Sequence, residues 1–341
     1  MINLEDFYYQ IVCSTLPSDR YFVILEQQDV LIVNFDCLYD RECSIRGMDQ
    51  LLYLLHKKGH NKRFLFLSED GANIKLSGAI EVIKNVINCF NLTADTCAVV
   101  CRELLEIPNC TVITNDSIPY WCRVVYHHTK HIPISQATFV KKFAIWYNRG
   151  PIHRLELAKF MFENYRDSSY ISYQEAGIIV TPNLTQFFQE ELQWAKENTP
   201  IVYDQLFPNR QFNFNLILGA GRKQYNNYFL EIVAETDILT TDWITEKTIK
   251  NLYIGKPFIV MGAAGVLHKL HNFGFKTFSP WIDESYDLTE NIHLRLEKIK
   301  REIDRIATLS IDELNSIFQE MLPILEYNRQ HYIQMVLDYT K

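Results

Sequence analysis

The clearest fold signal in this chain is Phe143-Ala-Ile-Trp-Tyr-Asn-Arg-Gly-Pro-Ile-His-Arg154. Its first five residues form a short apolar run that predicts a buried strand, and residues 148–154 are typical of a loop. A helix is predicted from Leu155 to Tyr165. A strand followed by a loop and a helix is the repeating unit of α/β proteins, in which the strands are parallel and the crossovers right-handed.

The same alternation extends in both directions along the chain. Toward the C-terminus we predict strands at 170–173, 229–233 and 257–261, helices at 245–253 and 264–273, and charged amphipathic helices from about 288 to 341. Toward the N-terminus we predict strands at 30–36, 63–67, 97–100 and 111–114, and helices at 48–58 and 78–90. Two α/β units in tandem with a helical tail follow from this pattern.

The boundary between the two units is predicted in the polar stretch 125–135, which contains His127, His128, His131 and Pro133. The domains are therefore predicted at 1–130 and 136–341. The three histidines allow a metal site, but no carboxylate or thiolate lies at ligand spacing, and a polar linker explains them more simply.

Composition favours a folded protein. Of the 341 residues 48% are hydrophobic and 22% are charged, so the chain can bury a large core and disorder is excluded. The net charge of -7 and the pI near 5.8 argue against a nucleic-acid-binding protein, which usually has a basic face, although a local basic cleft is compatible with both values.

No signal peptide and no membrane-spanning apolar run are expected from the sequence. All eight cysteines lie between Cys13 and Cys122 at irregular spacings. They are interpreted as free thiols in a reducing compartment, so a cytoplasmic location is predicted.

The loop after the strand 143–147 is the first candidate for chemistry. Ligands of open α/β sheets bind beyond the carboxyl ends of the strands, where a helix N-terminus offers free N–H groups to a phosphate. Asn148, Arg149 and Arg154 lie there, and a guanidinium pairs well with a diphosphate. Two surface arginines on a turn would be the structural alternative.

The second candidate is Asp242-Trp-Ile-Thr-Glu-Lys-Thr-Ile-Lys250. Asp242 or Thr245 is suited to cap a helix whose first turn carries Glu246 and Lys247. A carboxylate at that position is often there only to complement the helix dipole. Alternatively, Glu246 accepts hydrogen bonds from both ribose hydroxyls of a nucleotide while Lys247 faces its phosphates.

Together the two segments resemble the α-1,3/1,4-fucosyltransferases, glycosyltransferase family 10. Residues 143–154 look like that family's strand-and-arginine segment, and Trp243-Ile-Thr-Glu-Lys247 looks like its Tyr-Val-Thr-Glu-Lys motif. Gly255-Lys-Pro-Phe-Ile-Val260 stands where the family has Gly-Thr-Val-Pro-Ile-Tyr, and the resemblance covers about 130 residues, from Phe143 to about Gly274. It implies a GT-B fold, in which two Rossmann-like domains face each other across a cleft.

The resemblance also implies a function, namely inverting transfer of a fucose-like sugar from a nucleotide diphosphate to a hydroxyl of a glycan. Arg154 and Lys247 would bind the diphosphate, Glu246 the ribose, and Trp243 would lie against the nucleotide. The family has Phe-Glu-Asn ahead of the motif, whereas this chain has Ala234-Glu-Thr-Asp237. Glu235, Asp237 and Thr245 therefore complete the predicted donor pocket. A GDP-sugar is the first donor expected and a UDP-sugar the second.

An inverting transferase must deprotonate the acceptor hydroxyl while cations offset the charge that grows on the leaving diphosphate. No metal is required if the cations of the donor pocket do this. The general base is expected at a strand end of the N-terminal domain, with Glu69 and Asp70 as first candidates and Asp36 as the next.

Three other functions remain open on the sequence. The acceptor could instead be a protein side chain or a modified DNA base. A non-catalytic nucleotide-binding or scaffold protein would be compatible with the departures near Trp243 and Asp237. A dehydrogenase is disfavoured, because Gly219-Ala-Gly221 is not followed by the third glycine of a dinucleotide fingerprint.

Overall fold

A computed structural model gives the structure of the chain. It describes residues 23–27, 29–34, 55, 57, 62–68, 79–101, 106–114, 116–128, 138–147, 152–173, 189–198, 201, 225–236, 238 and 244–339. The described residues form two compact units, which comprise Met1–Asp116 and Ser117–Lys341.

The first unit contains a five-stranded sheet. Its strands are β1 (Val23–Gln27), β2 (Val30–Asn34), β3 (Arg63–Ser68), β4 (Cys97–Cys101) and β5 (Thr111–Thr114), and they are arranged in that order. All neighbouring pairs are parallel except β1 and β2, which are antiparallel. The four predicted strands are confirmed, and β1 is an additional edge strand that the sequence analysis did not identify.

Alternating side chains give this sheet two buried faces. Leu31, Phe66 and Val99 pack on one face with apolar residues of helix α1 (Ala79–Phe90), whereas Ile32 and Val100 pack on the other. A parallel sheet covered on both faces explains why the strands are nearly continuous apolar runs. The predicted helix at 78–90 is confirmed, and the predicted helix at 48–58 lies mostly outside the described residues.

The second unit contains a four-stranded, all-parallel sheet. Its strands are β6 (Lys141–Tyr147), β7 (Ser169–Tyr173), β8 (Tyr228–Ala234) and β9 (Phe258–Met261), in the spatial order β7-β6-β8-β9. All seven residues of the central strand β8 are buried. The predicted α/β class is therefore confirmed, with one all-parallel sheet and one that is parallel except for its edge strand β1.

The described residues of this unit also form helices. They are α2 (Ser117–His128), α3 (Ile152–Tyr165), α4 (Gln189–Asn198), α5 (Glu246–Ile254), α6 (Val266–Asn272), α7 (Ile292–Ala307) and α8 (Ile311–Tyr339). The predicted C-terminal helices are thus present as α7 and α8. Within the described residues, no helix combines the length and the apolar character needed to cross a membrane.

The division between the two units falls earlier than the sequence predicts. The predicted first domain extends to residue 130, but α2 belongs to the second unit because it packs against α5 and α8. The Tyr332 hydroxyl donates a hydrogen bond of 2.6 Å to the Cys122 carbonyl, and the rings of Tyr126 and Tyr253 meet edge to face. The predicted linker is also shorter at its start, since α2 continues through His128.

Candidate functional site

The carboxyl end of strand β8 is joined to the N-terminus of helix α5 by one buried carboxylate. Glu235 follows β8 and is fully buried. Its Oε1 accepts hydrogen bonds from the Thr245 backbone N–H, at 3.0 Å, and from the Thr248 hydroxyl, at 2.6 Å. Its Oε2 accepts a hydrogen bond of 2.5 Å from the Thr245 hydroxyl. The structure thus gives Glu235 a defined role in holding α5 in place.

Helix α5 begins and ends with regular caps. Thr245 is its N-cap, with an extended backbone and a hydroxyl that accepts a hydrogen bond from the Lys247 N–H. Gly255 ends it in the left-handed conformation, at φ 70°, which glycine adopts without steric cost. The predicted helix at 245–253 is therefore confirmed, and its positive dipole end lies at the carboxyl edge of the sheet.

The first turn of α5 carries an adjacent ion pair. The Lys247 Nζ lies 2.7 Å from the Glu246 Oε1 and donates a second hydrogen bond of 3.1 Å to the Thr245 hydroxyl. Burial raises the pKa of Glu246, but the Lys247 ammonium outweighs it and the net shift is downward, so the carboxylate is ionised at neutral pH. The Lys247 side chain is 28% exposed, so this ion pair is only partly covered by protein.

The structure places Arg154 in the same region, although not in a loop as predicted. Helix α3 begins at Ile152, so His153 and Arg154 lie in its first turn. The Arg154 Nε donates a hydrogen bond of 2.9 Å to the Ala234 carbonyl, and its Nη2 donates one of 3.0 Å to the Thr236 hydroxyl. Arg154 is buried, because these bonds draw its side chain onto the end of β8.

His153 makes the neighbouring contact. Its Nε2 donates a hydrogen bond of 2.7 Å to the Glu235 carbonyl. Burial, together with the charge of Arg154, lowers the pKa of His153 to about 3, so the imidazole is neutral and Arg154 carries the positive charge of this pair. Burial also lowers the pKa of Arg154, whereas the carboxylates of Glu235 and Glu246 act in the opposite direction.

Five of the predicted site residues come together here, and only Arg154 comes from a distant part of the sequence. Glu235, Thr245, Glu246 and Lys247 surround the start of α5, and Arg154 is electrostatically coupled to two of them. The other predicted site residues lie outside the described part of the chain: Asp36, Glu69, Asp70, Asn148, Arg149, Asp237 and Trp243.

Comparison with known proteins identifies no family for this chain. No protein-family model matches it. No curated protein is significantly similar to it in sequence. The resemblance to glycosyltransferase family 10 therefore stays a prediction.

Solved structures show a distant similarity. An alpha-glucosyltransferase in complex with UDP-glucose and DNA containing an abasic site is 9% identical, with a TM-score of 0.41 over 90% of this chain and 76% of that chain. A trehalose-6-phosphate synthase, described in connection with glycosyl transfer with retention, is 11% identical, with a TM-score of 0.38 over 95% and 91%. At these TM-scores the likeness is too slight to define the fold family, and the function has to be inferred from the chain's own residues.

Sequence reasoning missed two residues of the cluster around Glu235. His153 and Thr248 both bond to Glu235, through its carbonyl and its carboxylate respectively. A proline directly before Ile152 is typical of a helix start and would have placed His153 inside α3. Thr248 stands three positions after the N-cap, where a hydroxyl faces the same side of the helix.

A second polar cluster lies further down β8, toward its amino end. The Lys250 Nζ lies 2.8 Å from the Glu231 Oε1, and both side chains are 3% exposed. The Tyr228 hydroxyl donates a hydrogen bond of 2.8 Å to the Glu231 Oε2, and the Lys256 Nζ donates one of 2.7 Å to the Tyr228 carbonyl. No sequence motif indicates this cluster, because its members come from positions 228, 231, 250 and 256.

A large cavity lies away from both clusters of β8. It has a volume of about 850 Å³, is open to solvent, and is lined by residues that include Phe162, Tyr165 and Trp194. Most of the lining, residues 162–168, ends α3 and directly precedes β7, which places the cavity at the amino edge of the sheet, and Trp194 is added from α4. Because ligands of parallel α/β sheets bind at the carboxyl edge, the cluster around Glu235 is the stronger candidate site. In the part of the chain that the structure describes, no group of three or more His, Cys, Asp or Glu side chains is arranged to hold a metal ion.

Proposed function

We propose that this chain is a GT-B glycosyltransferase that binds a nucleoside diphosphate sugar at the carboxyl edge of its second sheet. The observation that carries the proposal is the arrangement at the start of α5, where a helix N-terminus, a partly exposed ammonium and an ionised carboxylate lie side by side. The first two groups favour binding of a diphosphate, and the third is suited to accept hydrogen bonds from the two hydroxyls of a ribose.

Each group has a distinct role in this proposal. Lys247 contacts the diphosphate and, together with the positive dipole end of α5, stabilises the negative charge that grows on it as the sugar departs. Glu246 accepts hydrogen bonds from the ribose hydroxyls. Arg154 does not contact the donor in this proposal. Its guanidinium is hydrogen-bonded to the Ala234 carbonyl and the Thr236 hydroxyl, where its positive charge favours phosphate binding nearby.

The finer assignments come from the resemblance to family 10. We propose that the transfer inverts the anomeric centre, that a GDP-sugar such as GDP-fucose is the donor, and that a glycan hydroxyl is the acceptor. Glu69 or Asp70 would then remove the acceptor proton.

Calorimetry with GDP, GDP-fucose, UDP and UDP-glucose tests the donor site. We expect one nucleoside diphosphate to bind, and we expect Lys247→Met to weaken it by about tenfold or more, since a charge-assisted contact to phosphate contributes about 1.5–3 kcal/mol. Glu246→Gln should weaken binding of the nucleotide and of the corresponding nucleoside alike, because both carry the ribose.

Lys196→Met is the matched control, because Lys196 is an exposed lysine of α4 and lies outside the cluster. It should bind the nucleotide as the unmodified protein does. Failure of every nucleotide to bind, or unchanged binding by Lys247→Met, would refute the proposed site. Slow hydrolysis of the bound donor would separate an enzyme from a non-catalytic nucleotide-binding protein.

A further inference from the structure

Two thiols lie next to each other at the amino end of the first sheet. The Sγ of Cys97, the first residue of β4, lies 3.4 Å from the Sγ of Cys110, which directly precedes β5. The residues that follow them, Ala98 and Thr111, form the first pair of the parallel β4–β5 ladder. The ends of two hydrogen-bonded strands therefore hold these cysteines side by side as free thiols.

Backbone hydrogen bonds fix both positions. The Cys97 N–H donates a hydrogen bond of 2.9 Å to the Thr93 carbonyl, and the Cys110 N–H donates one of 3.2 Å to the Ile107 carbonyl. Neighbouring strands lie about 4.8 Å apart, and a disulfide spans Cα atoms about 4.4–6.8 Å apart. The sulfurs can therefore close from 3.4 Å to a bond of about 2.05 Å by rotating their side chains, without moving the strands.

The two thiols are not equivalent. Cys97 is 2% exposed, whereas Cys110 is partly exposed. The Cys97 S–H donates its hydrogen bond to the Cys110 sulfur, which lowers the pKa of Cys110 despite its partial burial. The same hydrogen bond, together with burial, raises the pKa of Cys97. Cys110 is thus the thiol that ionises first and the one that an oxidant can reach.

We propose that Cys97 and Cys110 form a peroxide-sensitive pair that converts into an intramolecular disulfide. The Cys110 thiolate attacks one oxygen of a peroxide, which breaks the O–O bond and gives a sulfenic acid at Cys110 and one water or alcohol. The Cys97 sulfur then attacks the Cys110 sulfur, loses its proton and displaces the sulfenic oxygen as water. The two thiols lose two electrons and the peroxide gains them.

The disulfide would join residues 13 positions apart and tie the start of β4 to the start of β5. A cross-link of this kind removes conformations from the unfolded chain, so the oxidised protein should melt at a higher temperature than the reduced protein. A dithiol should restore the original thiols by exchange. None of these steps depends on the glycosyltransferase activity proposed above.

Mild treatment of the full-length protein with hydrogen peroxide, followed by alkylation and peptide mapping by mass spectrometry, tests the proposal. We expect a Cys97–Cys110 cross-linked peptide to be the first oxidation product, together with a melting temperature raised by several degrees that dithiothreitol reverses. In Cys97→Ser the sulfenic acid at Cys110 has no resolving thiol, so it should accumulate and be captured by dimedone. In Cys110→Ser both the cross-link and the dimedone adduct should be absent.

Cys89→Ser is the matched control, because Cys89 is an exposed cysteine at the end of α1. It should give the same cross-link as the unmodified protein. Mapping of the unmodified protein requires no variant to fold, so it decides the matter by itself. Oxidation of Cys89 before Cys110, a cross-link of either cysteine to another one, or a stable sulfenic acid at Cys110 while Cys97 is present would each overturn the proposal.

Discussion

Strand β8 carries buried charge in its middle and at its carboxyl end, but the two places use it differently. In the middle, Glu231 and Lys250 neutralise each other in an ion pair whose side chains are both 3% exposed. At the carboxyl end, Glu235 accepts hydrogen bonds from the N-terminus of α5, and Lys247 beside it stays 28% exposed. Both clusters include residues of α5, one helical turn apart.

The difference shows which kind of buried charge indicates a ligand site. A closed pair has its donors and acceptors satisfied by its own members, so nothing remains to bind a substrate. A carboxylate that anchors a helix N-terminus instead holds the positive dipole end of that helix and a partly exposed lysine at the carboxyl edge of the sheet, where ligands of open α/β sheets bind. Burial of a titratable group is therefore a weaker indication of function than the presence of an accessible partner beside it.

The largest effect is expected from breaking the closed pair. Lys250→Met leaves the Glu231 carboxylate buried without its cation and should lower the free energy of unfolding by about 3–5 kcal/mol. Replacing both residues, as Lys250→Met with Glu231→Leu, should recover part of that loss. Urea or guanidinium unfolding measures each value.

Lys84→Met is the comparison for this variant, because Lys84 pairs with Glu81 on the exposed surface of α1. Its effect should stay below about 1 kcal/mol. Equal losses of stability in the two lysine variants would show that the Glu231–Lys250 pair is not buried as described.

Substitutions at the carboxyl end of β8 should lower stability less than Lys250→Met does, but they should lower ligand affinity more. Glu235→Ala removes three hydrogen bonds and leaves the hydroxyls of Thr245 and Thr248 without their acceptor, which should cost about 2–4 kcal/mol. Because the start of α5 is then no longer held, affinity for a nucleoside diphosphate should fall by about tenfold or more.

Thr248→Val removes only one of these hydrogen bonds and should cost about 1 kcal/mol, with a proportionally smaller change in affinity. Thermal unfolding and calorimetry on the same samples separate the two effects. If nucleotide affinity fell in Lys250→Met but not in Glu235→Ala, the ligand site would lie near the Glu231–Lys250 pair and not near Glu235.

A third effect is a pH dependence at the amino end of β8. Burial lowers the pKa of Lys256 from 10.5 to about 7, although the Glu231 carboxylate opposes this shift. Between these two values the unfolded chain binds a proton that the folded protein has released, so stability should rise with pH across that window, by at most about 1.4 kcal/mol per pH unit.

Lys256→Met should remove this rise while the remaining pH dependence is unchanged. Unfolding free energies measured near pH 7 and near pH 9 for both proteins give the difference directly. Parallel curves for the two proteins would mean that Lys256 keeps its charge, stabilised by the rings of Tyr228 and Phe139 that its Nζ faces at 4.4 and 5.2 Å.

The sequence by itself determined the α/β class and most of the strands and helices. Apolar runs such as 63–67 and 229–233 favour burial in any fold. Thr245 begins α5 through a local hydrogen bond, and Gly255 ends it because glycine adopts the left-handed conformation readily. The motif Thr245-Glu-Lys247 was likewise readable as a site, because its three members are adjacent in the chain.

Only the tertiary structure decided which distant residues meet. Strand order and register decide three contacts: Arg154 bonds to the end of β8 instead of lying exposed on a loop, Glu235 anchors α5, and Cys97 faces Cys110. The free energy of these contacts comes from desolvation and hydrogen bonding between segments brought together by burial of the sheet. Local sequence patterns report which residues are apolar or polar, and they do not specify which polar group another one will contact.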